Sequence, residues 1–501
     1  MTYEHFAILA IIAPLMTSFL VLLLGWFRKG LCYPLTLAAL FVSLISSIGI
    51  LDTVMAKGTI HYHVGAWAPP WGIEIVVDYL NGFMVVMLTF IAFVVAIYSK
   101  KSLEQEIPDK IVPYYSVFLL FVAGLIGITV TGDLFNVFVF LEIASLSGYA
   151  LIAVGEDGAP LAAFRYVIMG TIGACFYYLG VGYLYSVTGS LNMADLSQIL
   201  PNLYHNKTVL VAFALFTVGI ALKMGVFPLH AWLPDGYTRA PSTSSAIIAP
   251  MATKVMAYLL VRIFFTLFKP YFAIDFIPVT QFLTWIAAAG IIAGSILAIA
   301  QTDLKRMLAY SSVANIGYIL LGIGLANQMG LIGGLLHIVN HAFMKGTLFL
   351  VTGGIVYKMG MRDITQFRGL PKKMPFTMAA FTIAALSMVG VPPTCGFFSK
   401  IYLIMGAIDA KQWFFIAVIL MSSLLNVVYF FRVVQMAFFK PYEPAYAHDG
   451  GDYEKIKMDE MPLSMLIPTL ILAAGIILLG VFNGDIVSNA IQHAVPVDFL
   501  R

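Results

Sequence analysis

The sequence predicts an all-α polytopic membrane protein with about fourteen transmembrane helices, arranged as two inverted five-helix repeats that each contain a broken helix. Three observations support this fold class. Hydrophobic residues occupy 61% of the 501 positions and charged residues only 11%, whereas soluble domains carry about 25% charged residues. The mean hydropathy is +0.93. Long apolar runs also recur along the chain, and prolines interrupt two of them.

The composition argues against several other classes of protein. The net charge of +3 is spread over many loops, so a nucleic-acid partner is not expected. Cys32, Cys175 and Cys395 are far apart in the chain, and they provide neither a disulfide framework nor a paired CxxC motif. Phosphate-loop, dinucleotide-binding and zinc-protease motifs do not occur. The sequence therefore predicts no cofactor and no metal site.

Fourteen segments are long enough to span a bilayer. A helix needs about 20 apolar residues to cross the hydrocarbon layer, and charged or Pro/Gly-rich breaks separate the candidates. The predicted spans are 6–26, 31–52, 80–98, 112–131, 134–154, 162–187, 208–227, 243–267, 277–300, 304–326, 329–357, 374–407 with an interruption, 412–439 and 463–483.

The distribution of lysine and arginine predicts the orientation. With the N-terminus outside and the spans alternating, 18 of these residues fall in cytoplasmic loops, five in outer loops and five within spans. Cytoplasmic loops of membrane proteins carry an excess of positive charge. Both termini are therefore expected outside the cytoplasm. The polar stretch 441–460 is expected to be a cytoplasmic loop before the last helix.

Two spans contain prolines where a helix should be straight, at Pro228 and at Pro392 and Pro393. Proline removes a backbone donor and clashes with the preceding turn, so both helices should be interrupted. Positions 228 and 393 lie 165 residues apart. Each break falls in the fourth helix of a five-helix block, and interrupted helices at matching positions of inverted halves indicate a transport site between them. Two ordinary proline kinks are the alternative.

This pattern divides the chain into four segments. They are 1–111 with three helices, 112–268 as the first five-helix repeat, 269–440 as the second, inverted repeat, and 441–501 as a cytoplasmic loop and the last helix.

Five cations lie inside otherwise apolar spans. Such a group at the bilayer centre costs about 2.5 to 3.5 kcal/mol on insertion scales, so it normally faces a protein interior and marks an ion or proton path. The sequence therefore favours a conductor over an anchor. The five are Lys223, Lys254, Arg262, Lys345 and Lys400.

Glu142 is the candidate acidic group of this path. An isolated carboxyl group at that depth would be protonated, whereas a nearby ammonium would keep it ionised. Lys223, beside the first break, is its predicted partner. The alternative is a neutral carboxyl group hydrogen-bonded only to Ser145 or a backbone carbonyl.

Lys254 and Lys400 are predicted to continue the path, at mid-span and after the second break respectively. A buried lysine can load and release a proton when an acidic partner approaches and withdraws. The alternatives are an ammonium bound to carbonyls that a helix break sets free, or one that reaches the membrane interface.

His337, His341 and Lys345 follow each other at intervals of four residues and form one polar stripe on a helix. Histidine titrates between pH 5 and 8, which suits a proton relay, although hydrogen bonding between helices would also explain the stripe. Lys345 and His230 are possible additional members of the path. For Arg262, we favour a side chain that extends to the outer membrane interface.

Two stretches carry a family resemblance. The run from Pro228 to Ser242, followed by Lys254, and the run from Asp303 to Ser312 resemble the proton-translocating subunits shared by respiratory complex I, membrane-bound hydrogenases and Mrp-type cation/proton antiporters. The runs 132–142 and 337–349 look most like the D subunit of Mrp antiporters and its hydrogenase relatives.

The resemblance implies a subunit of a multisubunit complex in the prokaryotic cytoplasmic membrane, with other membrane subunits, protons and Na⁺ as partners. It implies that Glu142 and Lys223 form a coupled pair and that Lys254 is the central relay. His337 and His341 would connect that relay to Lys400 as the exit station. An Mrp-type Na⁺/H⁺ antiporter is the expected complex, and a membrane-bound hydrogenase or a complex I-type NADH:quinone oxidoreductase is the alternative. The chain would be part of a translocase enzyme only within a redox complex.

Two other classes of protein remain as alternatives from the residues. A haem-binding redox subunit would normally use histidines on different helices, whereas His337 and His341 share one helix. An autonomous carrier of an organic solute would work as a single chain.

Overall fold

The apolar runs form long helices in a computed structural model that describes residues 5–155, 158–440, 457–496 and 499. In the first half the helices are α1 His5–Phe27, α2 Cys32–Lys57, α3 Tyr79–Glu106, α4 Ile111–Val130, α5 Leu134–Ala153, α6 Ala159–Thr188, α7 Met193–Ile199, α8 Lys207–Met224, α9 Trp232–Arg239 and α10 Ser242–Val261. In the second half they are α11 Lys269–Tyr271, α12 Val279–Ile299, α13 Leu304–Leu325, α14 Gln328–Met359, α15 Leu370–Lys373, α16 Pro375–Val389, α17 Cys395–Asp409, α18 Trp413–Val434, α19 Leu463–Val481 and α20 Asn483–Ile486.

The predicted fold class is confirmed. Among the described residues, thirteen helices are long and apolar enough to cross a membrane. They match thirteen of the fourteen predicted spans. The remaining prediction, 374–407, corresponds to the two shorter helices α16 and α17, which the second proline break separates. Of the predicted cytoplasmic loop 441–460, residues 441–456 lie outside the described residues.

Both predicted breaks have the same local structure. Helix α8 ends at Gly225 with φ 77°, and α16 ends at Gly390 with φ 94°. The N–H of the following residue bonds back to the carbonyl five positions earlier, Val226 to Ala221 and Val391 to Leu386, at 3.0 Å in each case. This is the glycine-terminated helix end known as the Schellman motif, and the prolines that follow prevent the helix from restarting at once.

The interior of the bundle is built around α10, α13 and α14. The apolar windows of α10 and α14 are completely buried by other helices, and that of α13 is 94% buried, whereas only 33% of the α1 window is buried. Polar side chains on the central helices therefore meet protein groups instead of lipid. Lys254, His337, His341 and Lys345 all lie on α10 or α14.

A short antiparallel hairpin, which the sequence did not predict, covers one end of the bundle. Strands β1 Ile60–His63 and β2 Glu74–Val77 pair with Ile60 opposite Val77. The hairpin continues onto the start of α5, because Gly132 N–H donates to the Glu74 carbonyl at 2.8 Å. Asp78 then caps α3 by accepting hydrogen bonds from the backbone N–H groups of Leu80 and Asn81. We call this side of the molecule the hairpin end.

Candidate functional site: a buried line of ionisable side chains

Lys223 occupies the last turn of α8, next to the first break, and is 5% exposed. Its ammonium donates to the Ser145 hydroxyl at 2.5 Å and to the Tyr149 hydroxyl at 3.3 Å. Both acceptors lie on α5, one and two turns after Glu142. The lysine thus contacts the face of α5 that carries the carboxylate.

Glu142 does not touch Lys223 directly. Its Oε1 is buried and has no hydrogen-bond partner among the described residues. Ser145, which accepts the lysine bond, lies one turn after Glu142 on α5. The coupled pair of Glu142 and Lys223 remains a prediction.

A small cavity of about 20 Å³ lies beside Lys223. Ser145, Tyr166 and Lys223 line it, together with Ala252 and Met256 of α10. A space of this size with several polar residues around it can hold about one water molecule. The cavity therefore reaches from Lys223 to the face of α10 that carries Ala252 and Met256, whereas Lys254 lies on the opposite face of that helix.

Lys254 is completely buried. Its ammonium donates to the Ala249 carbonyl at 2.6 Å and to the Thr253 hydroxyl at 3.3 Å, both on its own helix. Its helix α10 packs against α14, which carries His341 and Lys345. The lysine thus stands between the first break and the histidine stripe.

The three members of the stripe on α14 have different surroundings. His337 contacts the Ser399 hydroxyl at 2.9 Å through Nδ1 and the Asn315 side-chain oxygen at 3.0 Å through Nε2. His341 stacks on His337 with ring centroids 5.8 Å apart, and neither of its ring nitrogens has a hydrogen-bond partner among the described residues.

Lys345 donates to the Leu308 carbonyl at 2.6 Å and to the Ser311 hydroxyl on α13. Its bonds join α14 to α13. Lys345 and His341 are one helical turn apart on α14, as are His341 and His337.

Lys400 closes the second break. Its ammonium donates to the carbonyls of Met388 and Val389 at 3.0 and 2.9 Å, and to the Ser423 hydroxyl at 3.0 Å. It also lies 5.1 Å from the ring centroid of Tyr318. The preceding residue, Ser399, contacts His337, so the stripe on α14 and the second break meet here.

His230 and Arg262 lie off this line. His230 is within the first break, where its ring stacks on Phe227 at 5.3 Å and its buried Nδ1 has no partner among the described residues. Arg262 forms a two-point ion pair with Asp78 at 2.6 and 2.9 Å, at the hairpin end.

Lys305 corrects the sequence-based assignment of a cytoplasmic loop position. It is completely buried at the start of α13 and donates to the Ala240 carbonyl at 3.0 Å. The neighbouring Arg306 is exposed enough to approach Asp235 at 3.8 Å. The alternation of the predicted spans placed Lys305 in a cytoplasmic loop, whereas packing of α13 against α9 and α10 encloses the lysine.

The described residues contain no group of three or more His, Cys, Asp or Glu side chains that could hold a metal ion. The ionisable side chains from Glu142 to Lys400 carry carboxyl, ammonium and imidazole groups, with hydroxyl groups beside them. Such groups exchange protons, and histidine and lysine can do so at accessible pH when their surroundings vary.

A helical multi-pass membrane protein with two interrupted helices and an interior line of ammonium and imidazole groups has the architecture of an antiporter-like subunit. The family model described as NADH:quinone oxidoreductase/Mrp antiporter, TM matches residues 131–426. The chain belongs to this family, and it is an antiporter-like membrane subunit of the Mrp or complex I type.

Two curated relatives represent the two branches of the family. NADH-quinone oxidoreductase subunit N of Desulforudis audaxviator is 46% identical over 497 residues, which cover 98% of this chain and 99% of the relative. The D subunit of the Na(+)/H(+) antiporter of Alkalihalophilus pseudofirmus is 31% identical over 454 residues, with coverage of 90% and 89%.

Solved structures show the same fold within multisubunit membrane complexes. A chain of the archaeal membrane-bound sulfane sulfur reductase superposes with a TM-score of 0.89 at 30% identity, covering 99% of this chain and 98% of that one. A chain of the Mrp complex from Dietzia sp. DQ12-45-1b gives a TM-score of 0.87 at 26% identity, with coverage of 99% and 97%.

Proposed function

We propose that this chain translocates protons across a prokaryotic cytoplasmic membrane as a subunit of a larger complex. The proton path comprises Glu142, Lys223, Lys254, His337, His341 and Lys400, with Lys345 and His230 as possible additional members. The single observation that carries the proposal is the placement of buried ionisable side chains on packed helices between the two breaks: Lys223 beside the first break, Lys254 on α10, which packs against α14, and His337 of α14, which contacts Ser399 next to Lys400 at the second break.

The chemistry of this line supports transfer in steps. A proton that arrives on Lys223 can pass to a water molecule in the small cavity, and it reaches Lys254 when the flexible side chain of that lysine moves around α10 toward the cavity. A charge on Lys254 disfavours a second charge on His341, since like charges repel strongly at low dielectric. Movement of one proton toward Lys400 therefore lowers the cost of loading the next one.

Glu142 is proposed to control the first step. Its carboxylate attracts a proton to Lys223 without contacting it, and Ser145 holds the ammonium at a fixed place. A change in the position or charge of Glu142 would alter how readily Lys223 gives up its proton. In this arrangement Glu142 controls the loading of the path.

The two five-helix units are proposed to be 112–268 and 269–440, inverted relative to each other. An N-terminal segment, 1–111, precedes them, and a C-terminal segment, 441–501, follows them. The identical helix ends at Gly225 and Gly390, 165 residues apart, support this division. The excess of cationic residues in one set of loops supports termini outside the cytoplasm.

Lys223→Met in the assembled complex tests the proposed function. Loss of the ammonium should abolish proton uptake into membrane vesicles while the complex still purifies with all its subunits. Lys207→Met is the matched control, because Lys207 is exposed at the opposite end of the same helix. Full proton transport by the Lys223→Met complex, at normal assembly, would exclude the proposed path.

A second part of the proposal concerns the reaction that drives proton transport through this chain. The relative with 46% identity is named for NADH:quinone oxidation, which supports a redox complex in which this chain is a pumping subunit. The relative with 31% identity is named for a Na(+)/H(+) antiporter, which supports the Mrp-type D subunit and exchange with Na⁺ as the second candidate. Mass spectrometry of co-purifying subunits separates them: iron–sulfur or quinone-reducing subunits indicate the first, and only hydrophobic membrane subunits the second.

A further inference from the structure

The hairpin end contains a second cavity, of about 190 Å³, that the proposed path does not use. Its rim includes His61 and Ala194, which are exposed, and its floor includes Asn81, Thr131 and Arg262, which are buried. The cavity therefore leads from the protein surface to the end of α10. Asp78 also lines it.

The Asp78–Arg262 ion pair closes the floor of the cavity. Asp78 is held in place, whereas Arg262 is less constrained. Asp78 is held by the backbone N–H groups of Leu80 and Asn81 at the start of α3. Arg262 lies in a π-helical segment, Arg262–Leu267, that follows α10. Such wider turns are frequent at functional sites, and the guanidinium is the partner that can move.

A hydrogen-bonded hydroxyl lies directly behind the ion pair. Arg262 Nε donates to the Tyr258 hydroxyl at 3.1 Å, and that hydroxyl donates to the Thr129 carbonyl at 2.7 Å. Tyr258 is one helical turn from Arg262, and Lys254 is one turn further on the same face of α10. The series therefore leads from the cavity floor to the Tyr258 hydroxyl, one helical turn from the central lysine of the path.

Lys254 itself points away from this series. Its ammonium is bound to Ala249 and Thr253, which precede it on α10, whereas Tyr258 follows it. The long lysine side chain can rotate about its stem, so its ammonium can turn from the Ala249 carbonyl toward the Tyr258 hydroxyl. In the described arrangement the connection is closed both at Lys254 and at Arg262.

We propose that the cavity at the hairpin end is a side access for protons to Lys254, with the Arg262–Asp78 ion pair as its gate and the Tyr258 hydroxyl as its inner relay. The inference rests on the proposed function, because it assigns Lys254 to a proton path. The side access would give the proton path an opening to one membrane face near Lys254, in addition to the two helix breaks.

Charge placed in the cavity of the assembled complex tests this access. Ala194→Cys, in a Cys175→Ser background, is treated in sealed vesicles with a membrane-impermeant, positively charged methanethiosulfonate, applied to each face separately. Labelling is expected from the hairpin side only. Proton transport should fall by about tenfold after labelling, because a fixed positive charge in a narrow cavity repels a passing proton.

Gln198→Cys is the matched control, since it is exposed on the same short helix but does not line the cavity. Labelling there should leave the transport rate of that variant unchanged. Equal inhibition of the Ala194→Cys and Gln198→Cys variants after labelling would overturn the proposal. Unchanged transport by labelled Ala194→Cys would also overturn it, and so would a failure of the reagent to label Ala194→Cys. Each variant is compared before and after modification, so its folding does not enter the result.

Tyr258→Phe removes the relay hydroxyl and keeps the ring. Transport through this variant should be several times slower, and full transport would overturn the proposal. Failure of the side access can be distinguished from failure of the main proton path. If Lys223→Met transports normally, the proposed function fails; if Lys223→Met is inactive and labelled Ala194→Cys is fully active, only the side access fails.

Discussion

The ammonium of Lys400 donates a hydrogen bond to the carbonyl of Met388, the residue that lies 165 positions after Lys223. The same offset separates Gly225 from Gly390 at the two helix breaks. The second broken helix thus has Met388 where the first has Lys223. Its ammonium reaches the same place from Lys400, which lies on α17 after the break. The two breaks are chemically similar although their lysines are not at equivalent positions.

This relationship predicts that proton transport depends on where the ammonium lies in space, and less on which residue of the chain carries it. Lys400→Met should reduce proton transport by about tenfold or more, since it removes the charge that continues the path. Adding Met388→Lys to that variant should restore some of the transport. Proton uptake by vesicles containing the assembled complex is the measurement, with Met388→Lys alone as the control. Equal rates in the single and double variants would contradict the prediction.

Ser145 is predicted to position Lys223 for its interaction with Glu142. Ser145→Ala removes the 2.5 Å acceptor of the ammonium and should slow proton transport by about tenfold or more, since a lost hydrogen bond to a charged group is worth about 1.5 to 3 kcal/mol and about 1.4 kcal/mol corresponds to a factor of ten in rate. Ser145→Thr keeps a hydroxyl and should retain most of the rate. Ser147→Ala, two residues further on the same helix and also buried, is the control. Similar losses in the Ser145→Ala and Ser147→Ala variants would argue for a general packing effect.

His341 and His337 should respond differently to the same substitution. His341→Leu should abolish transport without lowering thermal stability, because its ring nitrogens have no hydrogen-bond partners among the described residues. His337→Leu should lower both, because it breaks contacts to Ser399 and Asn315 and leaves buried partners unpaired at a cost of about 1 to 3 kcal/mol. Heat-induced aggregation of the purified complex measures stability. A large loss of stability in His341→Leu would indicate a structural role.

The Arg262–Asp78 ion pair should stabilise the hairpin end. Asp78→Asn leaves a buried guanidinium without its counter-charge, and such uncompensated charges cost about 3 to 5 kcal/mol. Adding Arg262→Gln removes that charge, so the double variant should be more stable than Asp78→Asn alone. Thermal aggregation of the three variants provides the comparison. If the losses of the two single variants simply add in the double variant, the groups do not interact as the structure indicates.

The sequence predicted the helix breaks because their causes are local. Glycine ends each helix, proline prevents its continuation, and both residues are visible in the chain at Gly225-Val-Phe-Pro228 and Gly390-Val-Pro-Pro393. The buried cations were predicted for a related reason, since length and hydropathy locate a span without reference to its neighbours. These features required no knowledge of which helix packs against which.

The missed features depend on tertiary packing. Glu142 and Ser145 are one turn apart, so only the rotation and height of α5 against α8 decide which of them Lys223 contacts. Lys305 was counted among the cytoplasmic loop residues when the spans were alternated from an outside N-terminus, whereas the surrounding helices bury it. The hairpin escaped prediction because its strands have only four residues each and a long, largely apolar loop, 64–73, separates them.

The complete enclosure of α10 and α14 has a consequence for biogenesis. Their apolar windows have mean hydropathies of only 1.6 and 1.2, against 2.6 for α1, and lysines lie within both helices. Alone in lipid they would insert poorly. We therefore expect these two segments to leave the translocon together with neighbours that shield them, so that the chain enters the bilayer in groups of helices instead of one at a time.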